Sequence, residues 1–309
     1  MKTIFFGSSN FSLPFFETCK EKTQLVLVVS TEDKPKGRGQ KIISNPVKCV
    51  ARDSGYNVIT PTKLNDFSNV KQLADLQPDL IVTASYGKII PDAIIKTAKF
   101  GAINVHPSLL PKYRGAEPIF WQIAHGEKKS GVTIFQLSSK LDEGAIIAQE
   151  EFPLNETDNY ATLESMCIKI GMKLLNSLFE KLEKEQKLSS FQQKQEAGFY
   201  ARKIQESDER INWRDSANQI LNQIRAFSPH IGAYTQFKGK RVKILEAKST
   251  NMKNPADAGS IMIQGKKIFV RAGDSYIKID SLKPEGKSLV KPDDFINGYI
   301  VKTVNPRFD

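Results

Sequence analysis

A chain of 309 residues with 40% hydrophobic and 26% charged residues has the balance of a folded globular protein, which excludes a disordered chain. Its apolar runs, such as Leu25 to Val29, have the length of strands and fall well short of the ~20 residues that cross a bilayer, so no membrane partner is expected. The net charge of +11 is uneven: residues 201–309 hold 20 basic against 12 acidic residues, residues 1–200 hold 25 against 22. A basic region beside a near-neutral one suggests a polyanionic partner, although a lysine-rich solubility bias gives the same count. Cys19, Cys49 and Cys167 are odd in number and widely spaced, which fits neither a disulfide framework nor a metal motif and predicts a reducing, cytoplasmic home. The apolar start Met1 to Phe6 ends at Gly7-Ser8-Ser9-Asn10, too short for an export signal.

In chain order, strands are predicted over 2–6, 25–30, 57–60, 79–85 and 101–105, with helices over 12–20, 46–55, 70–76 and 91–98 between them. This alternation predicts an α/β fold with a doubly wound, mostly parallel, Rossmann-like sheet. Strands over 132–137 and 145–149 and a helix over 161–185 follow. The apolar stripe of that helix is read as Leu163, Met166, Ile170, Leu174, Leu178 and Leu182. Residues 190–204 are polar and glutamine-rich and predict a linker. It divides a first domain, 1–189, from a second, 205–309. Past a helix over 216–227, five closely spaced strands punctuated by Gly239, Gly259, Gly265 and Gly273 predict a small OB-like β-barrel.

Open parallel sheets bind ligands beyond the C-terminal ends of their strands. The strand Gly101-Ala102-Ile103-Asn104-Val105-His106 ends at such a place, and alternation puts Asn104 and His106 on one face. Polar groups on a buried strand cost free energy unless paired or used. A hydrogen-bonded structural pair is the simpler reading of an isolated Asn-x-His. The context argues for use: of the three histidines, His125 follows a helix and His230 lies in a turn, so only His106 sits where such sheets place reactive groups. Asp142, after a later strand, could orient the ring and favour its protonated form. An amide donor, an acid/base and an orienting anion suit acyl transfer through an oxyanion. No Gly-x-Gly-x-x-Gly follows the first strand, and no Walker lysine or Gly-x-Ser-x-Gly elbow is present, which disfavours dinucleotide, nucleotide and α/β-hydrolase chemistry.

The run Asn104-Val105-His106-Pro107-Ser108-Leu109-Leu110-Pro111-Lys112-Tyr113-Arg114-Gly115, with Gly131-Val132-Thr133-Ile134 and Leu141-Asp142-x-Gly144, resembles the folate-dependent formyltransferases. The resemblance implies Asn104, His106 and Asp142 as catalytic residues, and Ser108, Leu109, Leu110 and Pro111 as a folate-binding turn. It also implies 10-formyltetrahydrofolate as formyl donor, with no metal. Relatives formylating glycinamide ribonucleotide or amino-sugar nucleotides share these motifs. Two features resemble the methionyl-tRNA branch. One is the basic loop Asp33 to Lys41, with Lys36, Arg38 and Lys41 as candidate tRNA contacts. The other is the start of the second domain, Ala201-Arg202-Lys203-Ile204 and Asp208-Glu209-Arg210-Ile211-Asn212-Trp213. They imply initiator methionyl-tRNA as acceptor, for translation initiation; a monomer is expected. The chain departs from the pattern at Gly7-Ser8-Ser9, Glu117, Lys140 and Glu143. A non-catalytic RNA-binding protein would leave the intact Asn104, His106 and Asp142 unexplained.

Overall fold

The computed structural model describes residues 1–36, 41–194, 198–301 and 303–309, without the side chains of 34–36 and 41–43. Along the chain run β1 (Lys2–Gly7), α1 (Leu13–Lys22), β2 (Gln24–Val29), β3 (Lys34–Lys36), β4 (Lys41–Ile43), α2 (Pro46–Asp53) and β5 (Val58–Ile59). Next come α3 (Phe67–Asp75), β6 (Leu80–Ala84), α4 (Asp92–Ile95), β7 (Ala102–His106), β8 (Arg114–Gly115) and α5 (Pro118–Ala124). Then follow β9 (Lys129–Gln136), β10 (Ile146–Pro153), α6 (Tyr160–Glu185), β11 (Tyr200–Ala201), α7 (Glu206–Glu209) and α8 (Ala217–Phe227). The last elements are β12 (Ala233–Phe237), β13 (Lys240–Ser249), β14 (Ile261–Gln264), β15 (Lys267–Arg271), β16 (Tyr276–Pro284) and α9 (Pro292–Phe295). The chain forms two compact units. The first holds 1–118, 129–152 and 164–201; the second holds 119–128, 153–163 and 202–309.

In the first unit, seven strands take the order β10-β9-β7-β6-β1-β2-β5. The run from β7 to β5 is parallel, and β9 is antiparallel to β7. Alternation along β1 explains why the sheet is covered on both faces. Ile4 and Phe6 pack into one cluster with Leu27, Val29, Ile81, Tyr86 and Ile94, while Phe5 meets Phe16 of α1 at 6.0 Å between ring centres. Burial of both faces is what an uninterrupted apolar strand demands.

Helix α6 corrects one sequence expectation. Met166 is 43% exposed and Leu174 only half-buried, and the helix instead buries Leu163, Cys167, Ile170, Leu175, Leu178, Phe179 and Leu182. At about 100° per residue, position 167 lies nearer the line through 163, 170 and 178 than 166 does, and the small cysteine is the residue that fits there. Within the region expected as the basic loop Asp33 to Lys41, residues 34–36 pair with 41–43 as an antiparallel hairpin in the register Lys34–Ile43 to Lys36–Lys41. At its base Asp33 accepts from Lys48 Nζ at 2.5 Å and from the Asn45 N–H at 3.3 Å. The Lys48 ammonium holds the Asp33 carboxyl below the usual carboxylate range.

In the second unit, Ser216 caps α8 with a reciprocal Gln219 bond, a capping box. Five antiparallel strands take the order β12-β13-β16-β15-β14, the OB-like β-unit expected of this region. Residues 306–309 lie between the two outer strands. Asp309 donates its N–H to Gln236 on β12, while the Ile261 N–H of β14 donates to Pro306 and Phe308 donates to Gly259. Phe308 stacks on Trp213 at 5.7 Å and meets Phe237 at 5.8 Å. The free edges of the sheet are thereby joined through the 306–309 segment, which satisfies backbone groups an open edge leaves unpaired. Among the described residues no helix is long and apolar enough to cross a membrane.

Candidate active site

Asn104 and His106 stand two residues apart on β7, whose neighbours are β6 and β9. Across β6, Thr83 lies opposite Asn104 in register and donates its hydroxyl to the Asn104 side-chain carbonyl at 2.7 Å. That bond fixes which way the amide faces, since the carbonyl is occupied. The amide nitrogen has no hydrogen-bond partner among the described residues, so its N–H donors are left for a ligand. Thr83 is buried, and its sequence signal was a single hydroxyl inside the apolar run Leu80 to Ala84.

The His106 ring is buried, with an oxygen facing each nitrogen. Nε2 lies 2.9 Å from the Tyr113 carbonyl, and Nδ1 lies 3.9 Å from Asp142 Oδ2, near enough for charge attraction and too far for a hydrogen bond. The Phe135 ring stands edge-on to the imidazole at 6.2 Å. Asp142 Oδ2 itself accepts from the Gly115 N–H at 2.8 Å. A Cβ at Gly115 would sit 2.5 Å from the Ala201 carbonyl, so only glycine allows this backbone to approach both partners.

The route that brings Asp142 here differs from the expected one. Because β9 is antiparallel to β7, its C-terminal end is level with the start of β7: Gln136 is opposite Ile103, and the Leu137 N–H bonds Ala102. The 137–145 loop therefore turns back to carry Asp142 to the far end of β7. Asp142 takes a left-handed backbone, φ +52°, at the turn. At Gly144 a Cβ would lie 1.6 Å from the Gln136 carbonyl oxygen, so the return is closed to any other residue. Glu143, beside Asp142, is paired with Arg114 Nη1 at 3.4 Å and Lys140 at 3.6 Å. The two unusual charges of this loop thus answer each other.

The turn 108–111 is held by hydrogen bonds within it and from β9 and β10. Ser108 donates its hydroxyl to Lys112 O at 2.7 Å; Thr133 donates to Ser108 O at 2.6 Å and accepts from the Leu110 N–H at 3.2 Å. Gln149 Nε2 reaches both Thr133 Oγ1 at 2.8 Å and Leu110 O at 3.1 Å. Leu110 is buried against Phe135 and Ile146. Leu109 and Pro111 stay half-exposed, so their side chains can present carbon to a ligand.

Sequence reasoning missed Thr83, Tyr113, Gly115 and Gln193. Gln193 accepts from Arg114 Nε at 3.2 Å and Nη2 at 2.7 Å, and donates to the Asp142 and Gly144 carbonyls, each at 2.8 Å. Of the basic-loop candidates, Lys36 and Lys41 face each other in the hairpin register, and Arg38 lies outside the described residues. Among the described residues no group of three or more His, Cys, Asp or Glu is placed to hold a metal.

Residues 1–178 match the family described as Formyl transferase, and residues 203–300 match the Formyl transferase C-terminal domain. A methionyl-tRNA formyltransferase of Dictyoglomus thermophilum is 37% identical over 316 residues, covering 100% of both chains. That of Geobacillus sp. WCH70 is 36% identical over 301 residues, covering 96% of this chain and 94% of its own. An N-formyltransferase of Helicobacter canadensis, solved with folinic acid and dTDP-3-aminofucose, shares the fold with TM-score 0.68 at 21% identity, over 90% of this chain and 98% of its own. With both of its regions matched and relatives aligned end to end, the chain belongs to the formyl transferase family.

Proposed function

We propose that the chain transfers the formyl group of 10-formyltetrahydrofolate to the α-amino group of initiator methionyl-tRNA, acting as a cytoplasmic monomer without a metal. The observation that carries the chemistry is the meeting of Asn104, His106 and Asp142 at the end of β7, with the Asn104 amide donors unspent. The end-to-end match to methionyl-tRNA formyltransferases supports the acceptor, and the +8 charge of residues 201–309 fits a phosphate backbone. A sugar-nucleotide acceptor would leave that charge without a use.

In this reading the folate supplies the formyl group and leaves with its nitrogen protonated. Leu109 and Pro111 hold its flat ring system, while Ser108 and Leu110 hold the turn. The methionyl amine attacks the formyl carbon, and the carbon–nitrogen bond to the folate breaks. Asn104 Nδ2 donates to the oxygen as negative charge develops on it, an interaction worth roughly 3–4 kcal/mol in comparable sites. His106 relays the proton lost by the amine to the departing nitrogen, typically a factor of about 10² to 10⁴. The Asp142 carboxylate stabilises the imidazolium that exists between those two transfers. Lys36, Arg38 and Lys41 contact the tRNA backbone. Incubation with labelled formyl-folate, methionyl-tRNA and an amino-sugar nucleotide tests the reading: label should appear on the aminoacyl group, and label on the sugar nucleotide instead would overturn it.

A further inference from the structure

The two oxygens that flank the His106 ring belong to residues with an unfavourable backbone. Tyr113 has φ +60° and Asp142 has φ +52°, the left-handed region that side chains with a Cβ avoid. Such residues persist only where their surroundings over-determine them, and they gather at functional sites. Here the surroundings come from one stretch of chain downstream of α6. Phe191 bridges Ile146 in both directions, at 2.7 and 2.9 Å. The Tyr113 N–H donates to Phe199 O at 3.0 Å, Tyr200 and Ala201 pair with Arg114 and Gly115, and the Ala116 N–H donates to Ala201 O at 2.7 Å. Gln193 completes the set from the other side. Its amide nitrogen holds the carbonyls of Asp142 and Gly144, and its amide oxygen takes two donors of Arg114.

Gln193 thus ties the Asp142 loop to the segment that also contains Tyr113 and Gly115. Its two ends differ in function. The oxygen end bonds a side chain that also pairs with Glu143. The nitrogen end bonds the backbone of Asp142 itself, whose carboxylate sits 3.9 Å from His106 Nδ1 and must move little to close on it. We propose that Gln193 is a positioning residue for catalysis: its amide nitrogen sets the Asp142 carboxylate against His106, acting through Asp142 without touching substrate. The inference rests on the catalytic reading of His106 and Asp142 given above.

Gln193→Leu removes both ends at similar volume. Gln193→Glu keeps the acceptor for Arg114 and removes the donors to the two carbonyls, so it separates the ends. Formylation of methionyl-tRNA by the full-length variants is followed as kcat and KM, with melting curves to confirm folding. We expect kcat to fall about tenfold or more in both variants with KM for either substrate within about twofold, since small misplacements of catalytic groups lower rate before affinity. In an Asp142→Asn background, Gln193→Leu should add less than about a further twofold, because the group it positions no longer carries charge. A normal kcat in Gln193→Glu, or a full additional loss in the Asp142→Asn background, would assign Gln193 to Arg114 or to general stability and overturn the inference. A crippled Asp142→Asn beside a normal Gln193→Leu overturns this inference alone. A normal Asp142→Asn overturns the catalytic reading and this one with it.

Discussion

Thr83 and Asn104, side by side on adjacent parallel strands, share a 2.7 Å hydrogen bond that occupies the carbonyl of the asparagine, while its amide nitrogen has no partner among the described residues. An amide side chain looks nearly the same either way round, so without the threonine hydroxyl nothing among the described contacts chooses the donor end.

Thr83→Val keeps the shape and removes the hydroxyl. We expect kcat to fall about tenfold, partway to the roughly 10²- to 10³-fold loss expected when an oxyanion donor is removed, and Thr83→Ser to restore most of it. In an Asn104→Ala background Thr83→Val should cost little more. Steady-state kinetics on the four variants measures this, and equal effects of Thr83→Val with and without Asn104 would sink the link.

Removal of the His106 ring or the Asp142 charge should cost at least 100-fold in turnover. Asp142→Ala should also destabilise the fold by about 1–3 kcal/mol, because it leaves the half-buried Gly115 N–H without the carboxylate that accepts it. Asp142→Asn keeps an acceptor oxygen there and should melt close to the parent. Activity and melting temperature measured together separate the two effects; an active Asp142→Asn would remove the carboxylate from the mechanism.

Stability should fall in acid through carboxylates of the second unit. Asp208 accepts two bonds from Arg202, at 2.6 and 2.7 Å, and the Gln205 N–H at 2.7 Å; the guanidinium holds its carboxyl below the usual range. Asp274 is held low chiefly by the Ala217 N–H at the start of α8. A carboxyl whose pKa is lower folded than unfolded contributes stability above its unfolded pKa and loses it as pH falls through the folded one. Melting temperature should therefore drop as pH falls below about 4, and Asp208→Asn should show a smaller drop from a lower starting point. An unchanged acid limb in that variant would remove Asp208 from the account.

Two ligand measurements bear on the substrates. A saturating folate analogue should raise the melting temperature by mass action, by about 2.7 kcal/mol of stabilisation at 100 times Kd, and Leu109→Ser should weaken it. Affinity for tRNA should fall with salt at a log–log slope of about −0.7 to −0.9 per phosphate neutralised. A salt-independent affinity would mean that the basic region meets something other than the backbone.

The strand pattern was legible because β1, β2, β6 and β7 are apolar on both faces, and the Asn104–His106 pair was legible because polar residues interrupt such a strand. Thr83 was not, since a lone threonine is ordinary in a strand and its partner is 21 residues away. Tyr113 and Gly115 act through backbone groups, which every residue carries and no side-chain pattern reveals. Gln193 was hidden among glutamines whose composition reads as solvated chain. Asp142 was expected near His106 for an incomplete reason: its loop reaches the ring only by reversing after an antiparallel strand, and Gly144, which makes the reversal feasible, signalled only a turn.

The seam closed by residues 306–309 has a consequence for the order in which the molecule is made. The second unit draws on residues 119–128 and 153–163 as well as on 202–309; within it Phe120 packs on Phe227 at 4.6 Å, and Arg225 holds the carbonyls of Asn155 and Asp158. Its earliest pieces therefore leave the ribosome some 180 residues before the segment that joins β12 to β14. Until then β12 and β14 present bare edges, and contacts of such sequence separation form slowly. The first unit has all of its residues by position 201, so it can fold while the second is still waiting for its closure. A chain stalled or cut just before residue 306 should then expose a sticky β-edge on an otherwise assembled protein, a defect read as aggregation rather than as lost chemistry.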